Sequence, residues 1–249
     1  MRFLRIPQFI FGMWVALLFT LSMPFFFIIY ILIFSLLPER KARSAAHNAT
    51  RLWARYTFVI MFIRVKIKGK EKIDRKRVYV FVANHQSQLD IPAFMLSNRS
   101  VFRFLSKAEL ARIPVFGYIL RKLYITVDRA DKNDRSKSIQ LLRKSLDEGV
   151  SVFLCPEGTR NRTKAPLIEF KDGAFRLAIE AQVPIAVLTV LDSKKRNSPR
   201  SQLELIPGTI HGIWNDIIDT KGLTLDDVSL LKNRVYGMML RNLEGSARE

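Results

Sequence analysis

Between Ile6 and Pro38 the chain carries no Asp, Glu, Lys or Arg, and Phe, Ile and Leu dominate the stretch "PFFFIIYILIFSLL". No other feature restricts the folding of this chain so strongly. A membrane span needs about 20 apolar residues, and this run exceeds that even with tilt allowed. A secretory signal has an apolar region of only about 7 to 15 residues and then a small-residue cleavage site. Neither condition is met, so the expectation is membrane insertion, with a buried helix of a soluble core as the alternative. Pro24 either kinks one long helix or divides a shallow hairpin. A single span is slightly favoured. The next stretch, residues 38 to 64, has Arg40, Lys41, Arg43, Arg51 and Arg55 in its first part and "YTFVIMFI" in its second. It reads as a second helix with a basic end and an apolar end, suited to a headgroup boundary or to packing on the following domain. Residues 1–64 are therefore expected to form a two-helix membrane anchor.

That segment also interprets the charge. With 41 Lys and Arg against 22 Asp and Glu, the formal net charge is +19, which suits a polyanionic partner, either nucleic acid or an anionic membrane surface. A nucleic-acid binder interleaves aromatics with basic residues for base stacking. Here most aromatics sit in the apolar run or in expected strands, so the membrane surface is the better partner and no nucleic acid is expected. The single cysteine, Cys155, excludes an intramolecular disulfide and a cysteine-only zinc site.

From residue 65 to 249 the texture changes to short apolar runs alternating with helical periodicity. Strands are expected at 65–67, 78–83, 124–127, 150–155, 185–191, 203–206 and 209–211. Ser136 is a candidate cap for a helix that carries Ile139, Leu142 and Leu146 on one face and stops at Gly149. Thr224 and Asp227 resemble a capping box ahead of Val228, Leu231, Val235 and Met238. Strands alternating with helices imply an α/β fold, a central mixed sheet flanked by helices, preceded by the membrane-embedded helical segment.

Two strand ends carry candidate chemistry. "NHQSQLD", residues 84 to 90, follows the apolar run "VYVFVA", and ligand-facing groups collect where such strands open into polar turns. His85 is the candidate general base, since an imidazole both takes and gives a proton near neutral pH. Asp90 is positioned to hold its other ring nitrogen, provided the segment turns irregularly; its bland role is a helix cap before "IPAFML". The second strand end is "LCPEGTRNRTK", residues 154 to 164. Its Arg160, Arg162 and Lys164 beside Gly158 and Thr159 make either an anion-binding loop or a solvated basic one. Glu157 within it is suited to fixing an arginine or accepting from a substrate hydroxyl. The loop matches neither a Walker sequence nor a dinucleotide fingerprint. Cys155 follows an apolar strand and precedes Pro156, a setting for a packed thiol rather than a nucleophile, and the chain has no Gly-x-Ser-x-Gly elbow. His47 and His211 lack the paired polar context of His85.

These two blocks, in this order and behind a membrane segment, resemble the glycerophospholipid acyltransferase family, and the bacterial 1-acyl-glycerol-3-phosphate acyltransferases in particular. The Asn-His-x4-Asp signature is Asn84, His85 and Asp90. A second block is similar in "SKAELARIPVFGYILRKLYITVDR", with Lys107, Glu109, Leu110, Pro114, Gly117, Asp128 and Arg129 in place. The third is Pro156 to Arg160, followed by "FKDGAF", and the fourth is "VPIAVLTV". Two departures concern packing: Cys155 stands where a large apolar residue is common, and Val187 replaces the usual second proline of the fourth block. The likeness covers roughly residues 65 to 210.

The resemblance implies a direct transfer. His85, oriented by Asp90, takes the proton of a glycerol hydroxyl as that oxygen attacks an acyl thioester, and the thiolate leaves without needing a strong acid. The acceptor phosphate would sit near Arg129, Gly158, Thr159 and Arg160, with Glu157 beside it and Lys107 as a weaker member. The implied acceptor is 1-acyl-glycerol-3-phosphate, with glycerol-3-phosphate or another lysophospholipid as alternatives. The implied donor is acyl-coenzyme A or acyl carrier protein. No cofactor or metal is expected. The positive-inside bias would place the catalytic domain on the cytoplasmic face of the inner membrane. A membrane-tethered basic protein that binds nucleic acid or lipid without catalysis is the reading of another class.

Overall fold

The computed structural model describes residues 5–128, 131–197, 201 and 203–245. Seven strands, β1 (Ile63–Lys68), β2 (Val80–Ala83), β3 (Phe102–Lys107), β4 (Ile125–Val127), β5 (Ser151–Leu154), β6 (Ile185–Leu191) and β7 (Gly208–Trp214), form one sheet in the order β1-β7-β6-β2-β5-β3-β4. The chain divides into two compact units. The first comprises Met1–Ile67, Gln86–Arg99 and Val190–Gly212; the second comprises Lys68–His85, Ser100–Thr189 and Ile213–Glu249.

The first unit is built on a helical hairpin. Helix α1 (Arg5–Leu36) is continuous, with Pro24 inside it on the exposed side, so the apolar run does not fold back on itself. Helix α2 (Glu39–Ile60) returns antiparallel along it. Phe11 meets Phe62 at a centroid distance of 6.1 Å, and Trp53 stacks on Phe19 at 5.2 Å and on Phe26 at 5.1 Å. Trp53 Nε1 donates to Ser22 Oγ at 2.9 Å, Tyr56 Oη donates to the Leu18 carbonyl at 3.1 Å, and Tyr30 and Thr50 share a hydroxyl bond of 2.6 Å. These bonds satisfy the polar ends of aromatics whose rings fill the seam. The opposite face of α1 shows Ile10, Met13, Trp14, Leu17, Leu21, Phe25, Ile28 and Leu32 to the exterior, a stripe at helical spacing with no charged residue in it. Gly12 lies so close to the backbone of Leu203 that a Cβ there would collide with the Leu203 carbonyl. Helix α3 (Asp90–Ser97) packs on α2, and Arg51 of α2 donates to the Asn98 carbonyl at 3.3 Å and to Asn48 at 2.9 Å.

The second unit holds the parallel part of the sheet. Strand β2 lies between β5 (Val80↔Val152, Val82↔Leu154) and β6 (Val80↔Ile185, Ala83↔Leu188); β3 pairs with β5, and β4 with β3, all parallel. Strands β2, β5 and β6 are buried along their whole length, which is why they read as unbroken apolar runs rather than alternating ones. Phe81 is the centre of the core, within 5.8 Å of the rings of Phe102, Phe153 and Trp214. Each such ring contributes about 1.5 to 3 kcal/mol by burial. Helix α4 (Phe116–Leu123) precedes β4, and α6 (Gly173–Ala181) precedes β6.

Some expectations are corrected. Strand β3 was not anticipated, and residues 203–206 form no strand: Leu205 makes a single bridge to Asn197. Helix α5 (Lys132–Asp147) is capped by Asp131, whose carboxylate accepts from Asn133 and Asp134, and not by Ser136, because the aspartate offers an acceptor one turn earlier. The capping box of Thr224 and Asp227 is present, ahead of helix α7 (Val228–Gly245). The buried stripe of α7 runs through Met239 rather than Met238, continuing the four-residue step from Val235 on to Leu243.

Candidate active site

In the second unit, the parallel register brings the carboxyl ends of β2, β5 and β3 to one edge of the sheet, the edge where α/β proteins bind ligands. Strand β2 opens there into Asn84, fully buried, and His85, partly exposed. Strand β5 opens into a turn closed by a bond of 3.0 Å from Gly158 N–H to the Cys155 carbonyl. Pro156 at the second position and Gly158 at the fourth suit such a turn, and Gly158 takes φ +68°, which a side chain would strain.

The two openings are bonded to each other. Glu157 is only 2% exposed. Its Oε1 accepts the main-chain N–H of His85 at 2.7 Å, and Oε2 accepts that of Ile168 at 3.3 Å. The amide of Asn161 donates to the His85 carbonyl at 2.7 Å. Asn161 is itself locked: its Nδ2 donates to the Ala165 carbonyl, and its Oδ1 accepts from both the backbone and the hydroxyl of Thr163. Both peptide groups of His85 are thus held by residues 157 to 161. Sequence reasoning expected Glu157 to serve an arginine or a substrate hydroxyl; the structure sets its carboxylate on the backbone of the histidine. Asn161 was not singled out at all, and only its buried position would have marked it.

Gly158 and Thr159 are exposed at the rim and Arg160 is half-buried beside them. Lys107, at the carboxyl end of β3, forms an exposed ion pair of 2.7 Å with Glu109. The Lys107 hydrogen bond is the main reason the Glu109 carboxyl lies below its ordinary value. Arg129 lies outside the described residues.

Asp90 belongs to the first unit. It is fully buried and is the first residue of α3, with Leu89 in the cap position. Its Oδ2 accepts from the amides of Gln86 and Ser87, both at 2.7 Å, and its own N–H donates to the Ser87 carbonyl at 3.2 Å. The carboxylate therefore faces back into the turn that leaves His85, instead of capping forward into its helix.

The first unit also contains a His–Asp pair with no sequence signal. His211 Nδ1 lies 2.9 Å from Asp192 Oδ2, and Lys195 Nζ lies 2.9 Å from Oδ1. Asp192 directly follows β6, in a left-handed conformation, φ +65°. Burial works against its ionisation, but the bonds from His211 and Lys195 outweigh this and hold its carboxyl below the usual range. A separation of 19 positions along the chain concealed the pair.

The structure superposes on the crystal structure of the 1-acyl-sn-glycerophosphate acyltransferase PlsC from Thermotoga maritima with a TM-score of 0.82, over 100% of this chain and 98% of that one, at 22% identity. That likeness concerns the fold. A 1-acyl-sn-glycerol-3-phosphate acyltransferase of Chlamydomonas reinhardtii is 32% identical over 201 residues, 80% of this chain and 60% of its own length. The alpha form from Homo sapiens is 33% identical over 190 residues, 72% of this chain and 63% of its own length. This chain thus spans about six tenths of these relatives. The acyltransferase family model matches residues 64–190, which take in β2 with His85, Asp90 and the whole Glu157 loop. With over half of its length matched by that model, the chain belongs to the acyltransferase family.

Proposed function

We propose that this protein transfers a fatty acyl chain from an acyl thioester to the free hydroxyl of 1-acyl-glycerol-3-phosphate, forming phosphatidic acid. The observation that carries the reading is the clamp on His85, whose N–H and C=O are both bonded to the loop that bears Arg160. A base fixed to the anion-binding loop keeps its distance from whatever that loop holds. His85 takes the hydroxyl proton as the oxygen attacks the thioester carbonyl; the C–O bond forms, the C–S bond breaks, and the departing thiolate recovers the proton from the imidazolium. Asp90 orients the base by fixing the two amides that follow it in the chain. Arg160, the rim at Gly158 and Thr159, and Arg129 receive the acceptor phosphate. Lys107 contributes less, its charge being shared with Glu109. Neither a metal nor a bound cofactor takes part in these steps.

We place the enzyme at the cytoplasmic surface of the inner membrane, with α1 lying in one leaflet rather than crossing it. At 32 residues, α1 is about 48 Å long, well over the ~30 Å of hydrocarbon. Trp53 of α2 packs near its middle. An upright α1 would therefore carry the neighbouring Arg51 and Arg55 to mid-bilayer, at about 2.5 to 3.5 kcal/mol each. Lying flat, the exposed apolar stripe of α1 enters the lipid while the basic residues of α2 meet anionic headgroups. This departs from the single span favoured by length alone.

The test is purified protein in detergent, offered lysophosphatidate, glycerol-3-phosphate and other lysophospholipids with acyl-coenzyme A or acyl carrier protein as donor. Phosphatidate formed from lysophosphatidate is expected. Absence of product with every pair overturns the proposal.

A further inference from the structure

Within the first unit, a continuous set of contacts leads from α1 to the turn that follows His85. At one end the backbone of Gly12 lies against the Leu203 carbonyl, an approach only glycine permits. That carbonyl accepts from the Leu205 amide at 3.0 Å, and Leu205 is bridged to Asn197. Asn197, 4% exposed, uses its whole side-chain amide: Nδ2 donates to the Ser201 carbonyl at 3.3 Å and the Glu204 carbonyl at 3.4 Å, and Oδ1 accepts from Ser87 Oγ at 3.4 Å. Carbonyls only accept, so the amide has one orientation, and that orientation turns its oxygen towards Ser87. Ser87, 3% exposed, also accepts the Leu89 amide at its hydroxyl and gives its own N–H to Asp90.

We propose that Asn197 is a positioning residue, which transmits the docking of α1 against Leu203 to the Ser87–Asp90 turn and so to His85. The inference rests on the acyl-transfer reading for the purpose of the turn, although not for the coupling itself. Its chemistry is elementary. A buried three-way amide holds the Ser201 and Glu204 carbonyls and the Ser87 hydroxyl in a single arrangement. Seating of the apolar helix then favours the ordered turn, and loosening of that helix releases it. The enzyme would thus be most competent when α1 is in place.

The coupling is measured by hydrogen exchange on the full chain in detergent, without substrate, in wild type, Asn197→Leu and Gly12→Ala. The amides of Gln86 and Ser87 should exchange about two- to tenfold faster in both variants, the effect of losing one net hydrogen bond. Those of β5 should be unchanged, which reports that the fold is intact. Should Asn197→Leu lose the β5 protection, Gly12→Ala decides alone, since its added methyl meets Leu203 first. Unchanged exchange at Gln86 and Ser87 in a folded variant overturns the proposal. Turnover per folded molecule supplies a second readout: with the folded fraction measured and divided out, both variants should still lower kcat and leave KM for either substrate unchanged, whereas a role confined to folding would leave the corrected kcat at the wild-type value. An inactive wild type would sink the acyl-transfer reading and leave the exchange result to stand on its own.

Discussion

Oε1 of Glu157 accepts the main-chain N–H of His85 at 2.7 Å, so a carboxylate from the second strand end fixes the backbone of the candidate base at the first. Two motifs separated by seventy-two residues are in this way one hydrogen-bonded structure. Substitutions at either end should therefore be felt at the other.

Replacing His85 with Ala removes the imidazole and keeps both backbone bonds. Transfer should fall by about 10² to 10⁴, with the thermal unfolding midpoint within a few degrees of wild type. Near-normal turnover would remove the mechanism.

Glu157→Gln leaves one carbonyl oxygen for two amides, those of His85 and Ile168. One buried N–H then faces an NH₂ group, at about 1 to 3 kcal/mol. Urea unfolding should show that loss, and kcat should drop while KM for the acceptor holds. A raised KM with unchanged kcat would show instead that Glu157 binds substrate directly.

Arg160→Ala should raise KM for a phosphorylated acceptor by about 10- to 100-fold, the worth of one charge-assisted bond. KM for the acyl donor should stay within twofold or so. Equal losses for both substrates would assign Arg160 to the structure of the loop.

Asp192→Asn tests the pair with His211, and asparagine tolerates the same left-handed backbone. A carboxyl held low by folding adds stability above the ordinary carboxylate range near pH 4, and loses it as pH falls through its folded value. The wild type should therefore melt higher than the variant at pH 7, and the difference should shrink below about pH 4. A gap constant down to pH 3 would assign the effect to packing.

Depth measurements separate a flat helix from a span. Spin labels at Ile10, Leu21 and Leu32, all on the exposed stripe of α1, should report similar shallow depths of about 5 to 10 Å. Leu21 at the bilayer centre with the other two near opposite surfaces would restore the crossing.

Much of this molecule was legible in its sequence because its strongest signals are local. The β2, β5 and β6 runs are apolar throughout since both faces are buried, and the Thr224 capping box is a four-residue pattern. Strand β3 escaped because Arg103 and Ser106 interrupt its aromatics, although Phe102 and Phe104 alternate inward as a strand requires. The site was half legible. Its residue types and their order pointed to His85 and the Glu157 loop, but the bonds that unite them run between backbone and side chain across long separations. No spacing encodes the Asn161 amide on the His85 carbonyl, or Asp192 on His211.

The antiparallel seam between α1 and α2 also bears on how such a protein comes to reside at a bilayer. A hairpin that enters a single leaflet has no loop to push through the hydrocarbon, so its insertion calls for no passage of charge and is reversible in principle. The flanking arginines then cease to choose between two orientations, as they would for a crossing helix. On the one-leaflet reading, sidedness would be inherited from the compartment in which the chain is made, and affinity would be set by the lipid composition and curvature of the face it meets there.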